Sequence, residues 1–270
     1  MKYYNEIIFS ILFTFNIWAD QNPIPQIIIK PNIWGGASTR DIQKVLNSAT
    51  KQLWPYAHHK KLTPIKIERS RTGPIVLYQR GEKGEYIMRL DSEKTYWSQY
   101  AFQFAHELGH IICGYKKGDQ SNLWFEETLC ETASLFALRG MTKEWKTRPP
   151  YPNWKSYGQE FAKYAQNRIK KYPWPKNKSL GDWFSENKHN LAKEPANRGR
   201  NVRLASKLLP FFEKEPFRWG TCAFINVKKS NRIRSFPTYL RDWKKNCKTN
   251  KQKDFVEKLA QEFKINSASN

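Results

Sequence analysis

Acidic residues are scarce in this chain: 24 aspartates and glutamates stand against 47 lysines and arginines in 270 residues, giving a formal charge of +23 and a pI near 9.8. The excess is dispersed, in pairs such as Lys60-Lys61, Lys116-Lys117, Lys170-Lys171, Lys228-Lys229 and Lys244-Lys245. No nucleic-acid motif with stacking aromatics accompanies it, so a nucleic-acid partner is not expected. An anionic cell-envelope polymer or an acidic substrate is the expected counterpart, with solubility alone as the bland alternative. Cysteine is scarce too. The four present include no Cys-x-x-Cys spacing, which argues against thiolate zinc ligation. After residue 19 no apolar run is long enough to span a membrane, and no repeat or low-complexity tract interrupts the chain.

Residues 1–19 carry one early lysine and then the run Ile7-Ile8-Phe9-Ser10-Ile11-Leu12-Phe13-Thr14-Phe15, which reads as a secretory signal peptide cleaved after Ala19. An uncleaved anchor is the rival. Either way the body of the protein is expected to be secreted or periplasmic, and roughly 250 residues remain for one large domain or two lobes sharing a core.

The most informative stretch lies in 96–115. His106-Glu107-Leu108-Gly109-His110 is an HExxH pentapeptide, and Ala101, Phe104, Ala105, Leu108 and Ile112 recur around it at three- and four-residue steps. On a helix the two histidines, four apart, project one turn above the other and can grip one ion, with Gly114 as the C-terminal stop. Neutral imidazoles suit Zn²⁺, one per chain, which in catalytic sites takes three protein ligands and keeps a position for water. Glu107 is then placed as the general base. The competing reading is a core helix with two incidental histidines.

A third ligand is expected from the next helix, 122–139, which offers Glu126, Glu127 and Glu131. Glu127 and Glu131 share a face of an otherwise apolar helix, an unfavourable pairing unless a cation or donor sits opposite. Glu127 is the expected ligand and Glu131 the outer carboxylate that fixes a histidine's tautomer. A solvated acidic helix edge is the alternative.

These residues resemble the gluzincin metallopeptidases, the group of thermolysin-like and aminopeptidase-like zinc enzymes. Trp124-Phe125-Glu126-Glu127 is similar to the Trp-Leu-Asn-Glu segment of the aminopeptidase branch, whose last glutamate is the ligand, and Glu127-x-x-x-Glu131 to the ligand-plus-outer-acid spacing of the thermolysin branch. Glu126 stands where that segment has asparagine, the span from His110 to Glu127 is slightly shorter, and there is no Gly-x-Met-Glu-Asn strand. The resemblance covers 96–140. It implies a zinc peptidase acting on a peptide or protein substrate.

The flanks fit an α+β, zincin-like expectation: an N-terminal mixed β-sheet with helices over 20–140, a mostly α-helical C-terminal lobe over 141–270, and an active-site cleft between. Strands are predicted at 26–30, 65–69, 75–80 and 86–91, the last three separated by Thr72-Gly73-Pro74 and Gly81-Glu82-Lys83-Gly84, and a helix from Ser38 or Thr39 to about Trp54. By resemblance to the zincin upper lobe, 86–90 is the expected cleft-side edge strand, able to hold an extended peptide by strand addition. Beyond Gly140, helices are predicted at 157–169, 201–212 and 255–263, with weaker cases at 219–226 and 236–243, between joints such as Arg148-Pro149-Pro150-Tyr151-Pro152 and Tyr172-Pro173-Trp174-Pro175.

Two disulfides, Cys113–Cys130 and Cys222–Cys247, are expected for an exported chain, with four buried free thiols as the alternative. The donor for a developing oxyanion is left open among Tyr157, Tyr164, His189, Arg198 and Arg203. His58 and His59 read as surface residues. Two rivals to the peptidase stand beside it: a catalytically silent cell-surface binding protein on the same fold, and a metal-dependent amidase acting on a cell-wall polymer.

Overall fold

Short β-rich segments interrupted by one amphipathic helix build the N-terminal half of the computed structural model, which describes residues 23–58, 61–116, 120–227 and 233–265. The expected signal peptide, 1–19, and His59 lie outside the described residues. Strand β1 (Ile27–Ile29) leads into helix α1 (Thr39–Leu53), capped by Ser38, whose hydroxyl accepts from the Asp41 N–H at 3.3 Å. Ile42, Val45, Leu46, Ala49 and Leu53 recur at helical spacing and are buried. Strands β2 (Ile65–Arg69), β3 (Ile75–Arg80) and β4 (Tyr86–Leu90) complete a four-stranded sheet of order β1-β2-β4-β3. The first three strands of that order are parallel, and β3 is antiparallel to β4. Period-two alternation buries Ile65, Ile67, Met88 and Leu90 in the core shared with α1 and with helix α2 (Trp97–Ile112).

The order corrects one expectation. The outer strand is β3, not 86–90, because β4 is held on both sides, in parallel by β2 and antiparallel by β3. Between Leu77, opposite Ile87, and Arg80, opposite Tyr86, the ladder is broken by a bulge that leaves Tyr78 and Gln79 unpaired.

Helix α2 ends as Gly114 takes φ +96° and Tyr115 donates its N–H to the His110 carbonyl at 3.1 Å. Helix α3 (Leu123–Thr147) follows and runs 25 residues, well past the predicted end at Arg139. The anticipated boundary at residue 140 falls inside it: Gly140 gives the Gln52 side chain of α1 room to press against α3 instead of stopping the helix. Helices α4 (Gly158–Lys171), α5 (Leu180–Lys193), α6 (Arg198–Lys214), α7 (Trp219–Cys222), α8 (Phe236–Asn246) and α9 (Asn250–Glu262) make the rest mostly helical. Helix α5 was not predicted, its apolar face being only Leu180, Trp183, Phe184 and Leu191 in a polar sequence.

One hydrophobic core joins the sheet-side residues Leu46 and Leu90 to Leu208 and Phe255 of the later helices. At the start of α3, Trp124 lies 5.5 Å ring to ring from Phe184 and 4.7 Å from Phe236, while Phe125 lies 5.0 Å from Phe236 and 5.9 Å from Trp243. Helices α5 and α8 thus clamp the turn that carries Glu126 and Glu127. No helix among the described residues is long and apolar enough to cross a membrane.

Candidate metal centre

Helices α2 and α3 approach closely because Gly109 has no side chain at their contact: a Cβ there would stand 2.9 Å from the Cα of Cys130. That approach brings the polar residues of both helices together. His106 and His110, one turn apart, have ring centroids 5.3 Å from each other, and each side chain keeps 17% of its surface exposed. The Glu127 carboxylate reaches both, Oε2 lying 3.2 Å from His106 Nε2 and Oε1 3.6 Å from His110 Nε2.

The opposite ring nitrogens are held from behind. His106 Nδ1 lies 3.3 Å from Glu131 Oε2, and His110 Nδ1 donates to Glu126 Oε1 at 2.8 Å. Both supporting acids are themselves tied down. Arg168 of α4 donates to Glu131 Oε1 at 2.9 Å with its guanidinium 4.3 Å from the Phe102 ring, and Asn226 donates to Glu126 Oε2 at 2.6 Å. Asn226 Oδ1 in turn accepts from the Tyr239 hydroxyl at 3.3 Å. Glu107 is 3% exposed, and its Oε2 accepts from the Val76 N–H of β3 at 2.7 Å.

Burial alone would push both imidazoles down, yet Glu127 and Glu131 hold His106 well above its ordinary value, and Glu126, Glu127 and Glu107 lift His110 to about 9. Glu107 and Glu126 are raised by burial, whereas Glu127, though also penalised by burial, is lowered by its bond to His106. Four carboxylates therefore surround two imidazoles with Arg168 as the only cation bonded to any of them among the described residues. A cluster of that sign draws a cation.

His106, His110 and Cys130 offer ligand atoms that all lie within 4.8 Å of one another, a triad that could hold a metal ion. The thiol is buried, and burial followed by contact with Cys113 pushes it well above its ordinary value, so it stands as a neutral thiol.

The anticipated disulfides are absent. All four cysteines are free and buried. The Cys113 thiol touches both Cys130 and Cys222, so the contacts do not divide into the two expected pairs, and Cys247, at the C-terminal cap of α8, is near enough to Cys222 to raise it but is not bonded to it.

Of the anticipated oxyanion donors, Tyr157 accepts from the Ser98 N–H at 3.3 Å, and Arg203 donates to the Pro173 carbonyl at 3.0 Å. His189 is exposed on α5, and Tyr164, packed 5.4 Å from the Phe102 ring, feels Arg168, Glu131 and Arg198 behind the histidines. None of the five is bonded to His106, His110 or Glu127. Glu126 as the support of His110, Arg168, Asn226 and Cys130 were not anticipated. Two of them left a signal: Glu126 as a carboxylate beside Glu127 in an apolar helix, and Cys130 as a residue one helical turn past Glu127.

No protein-family model, no curated protein and no solved structure matches the chain. What the centre can do rests on its own atoms.

Proposed function

We propose that the chain is a zinc-dependent metallopeptidase of the gluzincin type, in which His106, His110 and Glu127 hold the ion and Glu107 moves the proton. The observation that carries this reading is the Glu127 carboxylate, which faces both Nε2 atoms while carboxylates occupy both Nδ1 positions. Two donors about 2.1 Å from one tetrahedral ion stand about 3.4 Å apart. The separations of 3.2 and 3.6 Å bracket that value. Placing the ring protons on Nδ1 leaves the Nε2 lone pairs for the ion, the arrangement that outer acids enforce around ligand histidines. Cys130 is the poorer third ligand, since a thiol must ionise to bind zinc and this one is buried among carboxylates.

Bound zinc would supply a Lewis acid that lowers the pKa of a water and polarises a carbonyl. The remaining work belongs to the chain. The Val76 N–H anchors Glu107 Oε2, which leaves Oε1 to take a proton from the attacking water and pass it to the departing amine. Burial raises this carboxyl toward neutrality, which suits both directions of transfer. Strand β3 borders the centre with its outer edge unpaired among the described residues, and an extended peptide added there would run past Glu107. The order of one strand, a helix, three strands and then the HExxH helix supports the zincin-like comparison.

The test is elemental analysis of the purified protein together with hydrolysis of denatured casein, with and without a chelator. One zinc per chain and chelator-sensitive cleavage, lost in Glu107→Gln while zinc is kept, are expected. A Glu107→Gln protein that cleaves as fast as the parent refutes the mechanism.

One observation favours a second reading, an amidase docked on an anionic wall polymer. A groove of about 1010 Å³ between α1 and α3 carries Lys44, Lys51, Lys143 and Arg148 beside Glu144 and Glu213, and among the described residues none of the four cations is in an ion pair within 4.0 Å. Cleavage of isolated wall material with casein left intact would select it.

A further inference from the structure

The centre contains a base and three candidate ligands, but none of the residues anticipated as the hydrogen-bond donor for the reacting carbonyl oxygen faces it. Strand β3 supplies one from an unexpected direction. Its Val76 backbone touches Glu107, and the bulge after Leu77 releases the next residue, Tyr78, from the ladder. Bulges beside a reaction centre turn side chains away from the regular alternation. The Tyr78 ring lies 5.8 Å from that of Tyr115, just past the end of the HExxH helix, and 54% of the residue remains open to solvent. Partial burial, then the carboxylates of Glu126 and Glu127, push its phenol up to about 12, while its place two residues beyond Val76, whose N–H is bonded to Glu107, puts it on the strand that borders the centre. No hydrogen bond within the described residues engages the hydroxyl. It is a donor without an assigned acceptor, two residues from the Val76 that holds Glu107 and on the strand proposed to carry the substrate.

We propose that Tyr78 is a catalytic residue whose hydroxyl steadies the carbonyl oxygen of the scissile peptide as water adds, a role that rests on the metallopeptidase reading. As the water oxygen bonds to the carbonyl carbon, the carbonyl π pair moves onto its oxygen and the water proton passes to Glu107. Tyr78 donates a hydrogen bond to that oxygen and keeps its own proton throughout. When the C–N bond breaks, its electron pair stays on nitrogen, which takes the proton from Glu107 while the carbonyl re-forms. A donor of this kind, present only where charge develops, acts on kcat more than on KM.

Tyr78→Phe removes the hydroxyl and keeps the ring. Expected in the zinc-loaded protein are unchanged zinc content, a kcat lower by about 100-fold with KM nearly unchanged, and affinity for a phosphonamidate peptide analogue, by calorimetry, weaker by about tenfold. Tyr115→Phe is the control. Its hydroxyl is buried without a partner, so its loss should leave kcat and analogue affinity unaltered. Parental kcat and analogue affinity in Tyr78→Phe, with an active parent, would overturn the role of Tyr78 and leave the peptidase reading standing. A parent that binds neither zinc nor the analogue would overturn both.

Discussion

Gly109 and Cys130 pack so tightly that a Cβ on the glycine would lie 2.9 Å from the cysteine Cα and 3.0 Å from its sulfur. The nearest atom is backbone, so the helices themselves must separate to admit a methyl group. Alanine is the better helix former by up to about 1 kcal/mol, but overpacking of this kind costs about 1–3 kcal/mol. Gly109→Ala should therefore destabilise the protein. Because the same shift carries Glu127 away from His106 and His110, metal affinity should fall with it. Denaturant unfolding and a zinc titration on the same variant check both halves, and a variant as stable as the parent with parental affinity would show that the helices do not need this approach.

Asn226 reaches the centre only through Glu126, to which it donates at 2.6 Å while Glu126 accepts from His110. Asn226→Ala leaves a buried carboxylate short of one donor, at a cost of about 1–3 kcal/mol. A support of this kind is also worth about 10–100-fold in metal affinity. Competition against a chelator of known affinity measures the loss. The Asn226→Ala effect should vanish in a Glu126→Gln background, where there is no longer a charge to steady.

The contrast between Glu131 and Asn226 shows what the sequence could reveal. Glu131 sits four residues from Glu127 on one helix, so periodicity alone placed it on the same face, and it does lie against a histidine. Helix α1 and its Ser38 cap, the strand segments and the HExxH helix were legible for the same reason, since each is a local pattern. Asn226 is 100 residues from Glu126 and Arg168 is 37 from Glu131, so no local spacing connects them. The sheet order failed in the same way. Chain order made Tyr86–Leu90 look outermost, but the parallel pairing of β4 with β2 displaced β3 to the edge. The thiols defeated the expected pairs because Cys113 has two cysteine neighbours.

Among the described residues Arg168 is the one guanidinium that answers the acids of the centre, donating to Glu131 at 2.9 Å while it stacks on Phe102. Its side chain is 18% exposed and that of Glu131 only 4%, so removing the arginine strands a buried charge. Arg168→Met should cost about 3 kcal/mol, the low end for a buried pair because the arginine is partly hydrated. Adding Glu131→Gln to that variant should recover a good part of the loss, since the amide oxygen still accepts from His106 while the charge is gone. Urea unfolding of the two single variants and the double variant gives the coupling directly. Strictly additive losses would mean that the pair contributes little.

In the metal-free protein His110 is held at about 9, above its ordinary 6.5, by Glu126, Glu127 and Glu107 despite its burial. A group raised on folding contributes stability that is complete below the unfolded value and disappears as pH rises through the folded one. The chelated protein should therefore lose stability between pH 6.5 and 9, and His106, raised in the same direction, adds to the loss. Zinc capture runs the other way. It requires the lone pairs at Nε2, so each bound ion displaces imidazole protons, and affinity should climb by about tenfold per pH unit for each proton released, levelling off near pH 9. Thermal melts with a chelator and calorimetric zinc titrations in buffers of different ionisation enthalpy measure the two trends. Opposite slopes across the same pH window are the signature of two protonated histidines waiting for an ion, and zinc binding without proton release at pH 7 would refute it.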